Sequence, residues 1–111
     1  MEKIIQRFKA MGDENRFRIL MLLLERPLCV CELLEVLDIK GGTLSAHLKI
    51  LKNAGLINHE KDGRWIIYSI STDDNIIFLK QIEHELEDNN TIQNDKIKIG
   101  KISRGICSTH S

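Results

Sequence analysis

The sequence predicts a mainly α-helical fold with one small β-hairpin, arranged as a winged helix-turn-helix. Apolar residues recur at helical spacing through the first half of the chain. Two short helical segments are separated by a turn that contains Gly41 and Gly42, the proportions of a helix-turn-helix. Asp62 and Gly63 then lie between two β-prone runs, which is a strong hairpin signal. The order helix, helix, helix-turn-helix, hairpin is that of a winged helix.

Length and charge set limits on the kind of protein. A chain of 111 residues fits one domain, but at this size a monomer buries its surface incompletely, so we expect a dimer. The net charge is zero, yet residues 40–64 carry five Lys or Arg against two Asp or Glu. The sequence shows no apolar run near the roughly 20 residues that span a bilayer, and the first 16 residues carry charges instead of a signal-peptide apolar stretch. We therefore expect a soluble, cytoplasmic protein.

The first three helices are predicted from their apolar spacing. A short N-terminal helix has an apolar side that could dock against a second subunit, formed by Ile4, Ile5, Phe8 and Met11. A central core helix begins after Asp13, a good N-cap, and ends at Pro27; its apolar members are Phe17, Leu20, Met21 and Leu24. A third helix follows Pro27, with Val30, Leu33, Leu34 and Leu37 at helical spacing.

The second half begins with the helix that would read DNA. Its inward residues are Leu44, Leu48 and Leu51, and Gly55 occupies the stop position. The hairpin strands cover residues 56–60 and 65–70, and a last amphipathic helix covers residues 72–87. We assign residues 1–88 to one DNA-binding and dimerisation domain. Residues 89–111 are polar and weakly periodic, which predicts a flexible tail that carries Cys107.

The outward side of the helix after the glycine turn is the candidate DNA surface. In a helix-turn-helix such residues reach base edges, and lysines near the helix ends contact phosphates. The alternative is an ordinary exposed helix face. At the hairpin tip, Lys61 and Arg64 need only positive charge and reach to contact the DNA backbone. The candidate set is Thr43, Ser45, His47, Lys49, Lys52, Lys61 and Arg64.

A catalytic function is poorly supported. The chain has no Gly-rich phosphate loop of the required spacing. Ser45 and His47 are two residues apart on a helix and would face different directions, which argues against a catalytic pair. A small thiol enzyme, such as a reductase, remains the alternative from another class of protein.

Cys29 and Cys31 form the most unusual pattern in the sequence. A reducing compartment and an odd number of cysteines favour ligands or sensors over structural disulfides. Two thiols at positions i and i+2 do not share a helix face, so one ion would bind both only if the helix start frays. Thiolates select soft ions, and a helix N-terminus lowers the pKa of a thiol. The alternative is two small buried hydrophobic residues.

Three segments together resemble the ArsR/SmtB family of bacterial metal-sensing repressors, and in particular its arsenic-responsive branch. These segments are LCVCELL, TLSAHLKILKNAGLI and DGRWIIYSI, and the resemblance covers roughly residues 5–86. It implies a homodimeric winged-helix repressor that leaves its operator DNA when As(III) or Sb(III) binds cysteine thiolates. It also implies that the terminal helices form the dimer interface and that arsenic resistance is the biological role.

The sequence departs from this family pattern in ways that bear on the ligands. Some arsenic sensors have a third cysteine where this chain has Leu34, so Cys107 would complete a three-sulfur site only if the tail folds back, from its own subunit or its partner. A Cd(II) or Pb(II) sensor and a dithiol redox switch remain alternatives. The zinc pattern of related sensors is rejected because Ser71 and Asp73 occupy its first half. Many relatives also have Ser-Gln in place of Lys40 and Gly41, so their base contacts do not transfer.

Overall fold

The computed structural model describes residues 1–103, which form six helices and three strands in the order of a winged helix. This confirms the predicted fold class, with two additions, the short strand β1 and the helix α6. Within the described residues, no helix is both long and apolar enough to cross a membrane. The helices are α1 (Glu2–Met11), α2 (Glu14–Glu25), α3 (Val30–Val36), α4 (Gly41–Asn53), α5 (Asp73–His84) and α6 (Asn90–Gly100); the strands are β1 (Leu28–Cys29), β2 (Ile57–Asp62) and β3 (Trp65–Ile70).

Helix α2 forms the centre of the core. It begins where the Asp13 carboxylate accepts a hydrogen bond from the Arg16 backbone N–H at 3.0 Å. The five consecutive residues 19–23 are all buried, because α1, α4, α5, α6 and β3 surround this helix. Phe17 and Leu24, which helical spacing predicts in the core, are only partly buried. Single-face spacing predicted this helix but not all of its buried residues, because α2 is covered on more than one side.

The sheet has the order β1-β3-β2, and all its strands are antiparallel. The predicted hairpin is confirmed, and Gly63 at its tip has φ of +62°, a conformation that glycine adopts without strain. Strand β1 was not predicted because two residues are too few to show a period. It pairs Cys29 with Ile67 of β3, so the first cysteine of the pair lies on the sheet edge.

Helix α4 has the predicted inward leucines and the predicted end. Leu44 is fully buried, and Gly55 has φ of +80° just after the helix. The sequence predicted a flexible turn at Gly41 and Gly42, but both residues belong to α4. The helix begins there, and the Leu44 backbone N–H donates to the Lys40 carbonyl at 3.0 Å. The turn between α3 and α4 is therefore only four residues long, which fixes α4 closely against α3.

The prediction of a flexible tail from residue 89 is wrong for residues 90–100, which form α6. The Asn89 side chain caps this helix by accepting from the Ile92 backbone N–H at 3.0 Å. Ile92 and Ile99 are buried, and Asp95 receives two hydrogen bonds from Arg18 at 2.8 and 2.9 Å. Helical spacing did not predict this helix because only a few apolar residues pack it against the core. Residues 104–111, including Cys107, lie outside the described residues.

Candidate functional site

The exposed side of α4 carries most of the predicted DNA surface. Thr43, Ser45, Lys49 and Lys52 are all exposed, while the buried leucines hold the opposite side of the helix against the core. The structure thus brings these four residues together on one element. A helix anchored in this way can present two ammonium groups and two hydroxyl groups to a DNA groove and its phosphates.

The β2–β3 hairpin supplies two further cations. Lys61 and Arg64 are exposed at either side of its tip. The Arg64 guanidinium lies over the Trp65 ring, 4.7 Å from the ring centroid, which restricts this side chain while leaving it exposed. These positions fit the predicted contact of a wing with the DNA backbone.

The structure does not group His47 with the other candidate DNA residues. Its side chain is only 13% exposed, and its Nε2 lies 4.0 Å from the Asp13 carboxylate. Its Nδ1 lies 3.2 Å from Nη1 of Arg16, whose Nε donates to the Ala10 carbonyl at 2.7 Å. His47 therefore fixes α4 to the α1–α2 junction. In this network the backbone hydrogen bond from Arg16 is the main cause that lowers the pKa of Asp13 below its usual 3.8.

The cysteine pair lies at the junction of β1 and α3. Cys29 is the N-cap of α3 and has an extended backbone, with φ −92° and ψ 168°. Its backbone N–H donates to Oε1 of Glu32 at 3.0 Å, one half of a capping box. The Sγ atoms of Cys29 and Cys31 are 3.3 Å apart. The helix start need not fray for one ion to bind both sulfurs, in contrast to the expectation from their spacing, because Cys29 is already outside the helix.

Burial has the largest effect on the pKa of the Cys29 thiol. Cys29 is 2% exposed. Desolvation raises the pKa of its thiol, although the backbone N–H groups of Glu32 and Cys31 act in the opposite direction. The expectation that the helix start lowers this pKa is therefore wrong for Cys29. A thiolate at this buried position would be stabilised by a nearby cation, such as a bound thiophilic ion.

Sequence reasoning missed Arg26 and Glu32, which hold the cysteine turn in place. Glu32 is buried, and its Oε2 accepts from Nη1 of Arg26 at 2.6 Å. Nη2 of Arg26 donates to the Ile102 carbonyl at 2.6 Å, just beyond α6. The spacing of Cys29 and Glu32 is that of a capping box, with Cys in place of Ser or Thr, and this signal could have identified Glu32. No sequence pattern indicated Arg26.

The sulfur pair fits a thiophilic ion better than a hard one. Metal–sulfur bonds of about 2.3 Å, as for zinc, can span two sulfurs at the observed 3.3 Å separation. Residues 1–103 contain no group of three His, Cys, Asp or Glu side chains placed to hold a metal ion. In this structure Cys31 is disulfide-bonded, whereas Cys29 is a buried thiol. Cys29 and Cys31 could therefore act together as soft-ion ligands only once that disulfide is reduced.

Comparison with known sequences identifies the family. The model of the bacterial regulatory proteins of the arsR family matches residues 13–59. A transcriptional regulator of the helix-turn-helix type from Methanocaldococcus jannaschii is 44% identical over 73 residues, which cover 65% of this chain and 82% of that protein. The chain belongs to the ArsR family.

Other ArsR-family relatives match at similar levels. The arsenical resistance operon repressor of Bacillus subtilis is 39% identical over 67% of this chain and 71% of its own length. A cadmium resistance regulator homologue of Staphylococcus aureus is 39% identical over 57% of this chain, but this match spans about half of that relative (53%). The structure of reduced HlyU from Vibrio cholerae superimposes with a TM-score of 0.70 and 32% identity, covering 78% of this chain and 90% of that one.

Membership in the ArsR family decides between the two classes of protein that the sequence left open. The family consists of DNA-binding transcriptional regulators, so this chain is a regulator and not a thiol enzyme. The matched range contains α2, α3 and α4, and therefore includes the cysteine turn and the exposed side of α4.

Proposed function

We propose that this ArsR-family regulator is a cytoplasmic repressor that binds operator DNA as a homodimer and leaves it when As(III) or Sb(III) binds Cys29 and Cys31. The observation that carries this proposal is the pair of sulfur atoms 3.3 Å apart in the turn that starts α3. Helix α3 precedes α4 with a short connection, so a change at the turn acts on the element that faces DNA. The arsenical resistance repressor among the relatives supports this choice of ligand.

The DNA-binding part of the proposal uses the exposed side of α4 and the hairpin tip. We assign the base-edge contacts to Thr43 and Ser45, because short polar side chains can enter a major groove. We assign the phosphate contacts to the cations Lys49, Lys52, Lys61 and Arg64. His47 is better assigned to holding α4 in position, because its ring lies against Arg16.

The dimer part of the proposal uses α1 and α5. Ile4, Phe8 and Ile77 are 55%, 56% and 58% exposed, which is unusual for large apolar residues on neighbouring helices. Phe8 contacts Phe78 edge-on, with ring centroids 6.3 Å apart, so the two helices present one continuous apolar face. We assign this face to the second subunit, as the sequence predicted.

Release from DNA follows from a difference in affinity between two conformations. An ion can shift the equilibrium only if it binds the conformation with low DNA affinity more tightly. Binding at Cys29 acts on the capping box with Glu32 and on the pairing of Cys29 with β3. Both contacts fix the start of α3, and their rearrangement would move α4 relative to the hairpin.

A Cd(II) or Pb(II) sensor is the second candidate within the family. The cadmium resistance regulator among the relatives favours it, and the same two sulfurs would bind these soft ions. A dithiol redox switch would use the same pair without any ion. The experiment below separates these possibilities.

The test begins with a duplex that the purified protein selects from a random DNA pool. The complex is titrated, under a reductant that contains no thiol, with As(III), Sb(III), Cd(II), Pb(II) and Zn(II), and release is followed by fluorescence anisotropy. We expect As(III) and Sb(III) to release the DNA at the lowest concentrations. Release first by Cd(II) or Pb(II) would favour the second candidate. Release by a mild oxidant in a parallel sample without reductant, with none by any ion, would favour the redox switch.

A further inference from the structure

The chain that leaves α4 is held by side chains at the start of α5. Gly55, whose φ of +80° follows the end of α4, has a carbonyl that accepts from Oγ of Ser71 at 2.6 Å and from Nδ2 of Asn75 at 3.2 Å. Nδ2 of Asn75 also donates to Oγ of Ser71 at 2.9 Å, and the Ser71 backbone N–H donates to the Leu56 carbonyl at 3.0 Å. Two side chains therefore fix the position at which the proposed DNA-binding helix ends.

Asn75 also borders the face that we assign to the second subunit. It is a polar residue that is only 6% exposed, and it lines a groove of about 210 Å³ between α1 and α5, together with Ile4 and Phe8. Leu56 lines the same groove, is fully buried and directly follows Gly55. The groove therefore contacts both the residue that follows Gly55 and the side chain that holds the Gly55 carbonyl.

A second subunit in this groove would strengthen the hold on the end of α4. A buried amide is costly unless its hydrogen bonds are made, so Asn75 resists any shift that separates it from Gly55. Filling the groove excludes water beside Asn75 and Leu56, and a hydrogen bond is stronger where water is excluded. Contact with the second subunit thus favours the arrangement in which α5 holds the end of α4.

We propose that Asn75 is a positioning residue that couples occupation of the groove by the second subunit to the placement of α4, so that dimer formation raises the DNA affinity of each subunit. The proposal goes beyond the proposed function and rests on its assignment of α4 to DNA and of the groove to the dimer. It is independent of the ion that binds the cysteine pair. Because such coupling is reciprocal, DNA bound at one half-site tightens the dimer by the same factor.

The first test is a double-mutant cycle on affinity for a duplex with one half of the selected site, which removes the gain from binding two half-sites at once. Asn75→Leu keeps the approximate shape of the side chain and removes both donated hydrogen bonds. We expect it to weaken binding about tenfold in the native dimer and less than about twofold in an Ile77→Asp background. Ile77 is 58% exposed on the dimer face and does not line the groove, so Ile77→Asp separates the subunits without altering the groove. An equal loss in both backgrounds would overturn the proposal, because Asn75 would then act within one subunit.

Two further variants control for a general loss of structure. Gln93→Leu is matched to Asn75→Leu, because Nε2 of Gln93 also donates to a backbone carbonyl, that of Leu86 at 3.1 Å, but away from α4. It should change half-site affinity less than about twofold. Ser71→Ala removes the other donor to Gly55 and should weaken half-site binding by the dimer, even if Asn75→Leu does not fold. Native half-site affinity in the Ser71→Ala dimer would overturn the proposal.

The second test measures the reciprocal effect, which a merely structural role of Asn75 would not change. Sedimentation velocity gives the dimer dissociation constant with and without saturating half-site duplex. We expect the duplex to lower this constant about tenfold for the native protein and less than about twofold for Asn75→Leu. Equal tightening of both proteins would overturn the proposal while leaving the proposed function intact. A native protein that stays monomeric at all concentrations would instead contradict the dimer of the proposed function, and the coupling with it.

Discussion

At the scale of single residues, the backbone conformation of Cys29 determines what the cysteine pair can do. In a continuous helix, side chains two positions apart point in different directions. Because Cys29 is extended and Cys31 is helical, their sulfurs approach to 3.3 Å. Glu32 and Arg26 stabilise this conformation through the cap and the ion pair. A change in the backbone conformation of Cys29 alone would therefore alter the distance between the two sulfurs.

The N-cap of α2 gives a prediction for stability. Asp13→Ala should lower the free energy of unfolding by about 1 kcal/mol, because the mutation removes the cap hydrogen bond to Arg16. The lowered pKa of Asp13 means that this contribution is present above its usual 3.8 and is lost as the pH falls through the lower folded value. Urea unfolding at fixed protein concentration measures the effect, with the exposed Asp38→Ala as control. Equal midpoints for the two variants would contradict the capping role.

The lysines of α4 give a prediction for DNA affinity. Lys49→Ala with Lys52→Ala should weaken binding and reduce the salt slope by about 0.9 for each DNA phosphate that a lysine no longer neutralises. Lys98→Ala on α6 removes the same charge from an exposed position elsewhere and should change the slope little. Affinity measured across a range of salt concentrations checks this. A slope unchanged by the double substitution would mean that α4 does not lie on DNA.

At the scale of elements, α6 packs the last part of the described chain against the core. Its two buried isoleucines and the Arg18–Asp95 ion pair hold it to α2, while Arg26 holds its end beside α3. Helices α2 and α3 both lie in the unit proposed to bind DNA and the inducer. A change in how α6 docks should therefore alter the conformation of the cysteine turn.

Truncating the docked side of α6 should destabilise the protein. Ile92→Ala and Ile99→Ala should each lower the free energy of unfolding by about 2 to 4 kcal/mol, because both side chains are buried. Ile97→Ala, at a position that is 58% exposed on the same helix, should cost far less. Thermal unfolding of the three variants at equal concentration makes the comparison. Similar melting temperatures for all three would indicate that α6 does not dock.

The sequence predicted those elements whose signals are local and repeated. Helical spacing located α4 and its buried leucines, and Asp62 with Gly63 located the hairpin. The sequence did not predict elements that are very short or that depend on contacts between residues far apart along the chain. Strand β1 has two residues, and α6 depends on an ion pair between residues 18 and 95. Local spacing could not indicate that His47 is largely buried, because its partners Arg16 and Asp13 lie far from it along the chain.

At the scale of the whole molecule, the exposed apolar residues are concentrated on α1 and α5. Ile4, Phe8 and Phe78 line one groove of about 210 Å³ between these helices, next to Arg7 and Asp74. Such a surface is costly in water and typical of an interface. Helix α4, which we propose binds DNA, does not line this groove, so a dimer formed through α1 and α5 would leave it exposed in each subunit for symmetric half-sites.

A charge in this groove should separate the subunits. Ile4→Asp should raise the dimer dissociation constant at least about tenfold, because it places a carboxylate in an apolar interface. Ile97→Asp is the matched control, since the two isoleucines are 55% and 58% exposed and α6 is not part of the groove. Sedimentation velocity over a concentration series measures both. A native protein that is monomeric at micromolar concentration, yet binds a palindromic duplex tightly, would contradict this interface.

The release of DNA from a variant without the cysteine pair tests the account most directly. Cys29→Ser combined with Cys31→Ser keeps the charge and the approximate size of both side chains. Serine is also a favoured N-cap residue at the position of Cys29, so DNA affinity should stay within about threefold of native. The selected duplex bound to this variant is titrated with As(III) beside the native complex. We predict that the native complex dissociates and the variant complex does not. Dissociation of both at the same As(III) concentration would place the sensing site elsewhere and contradict the central claim.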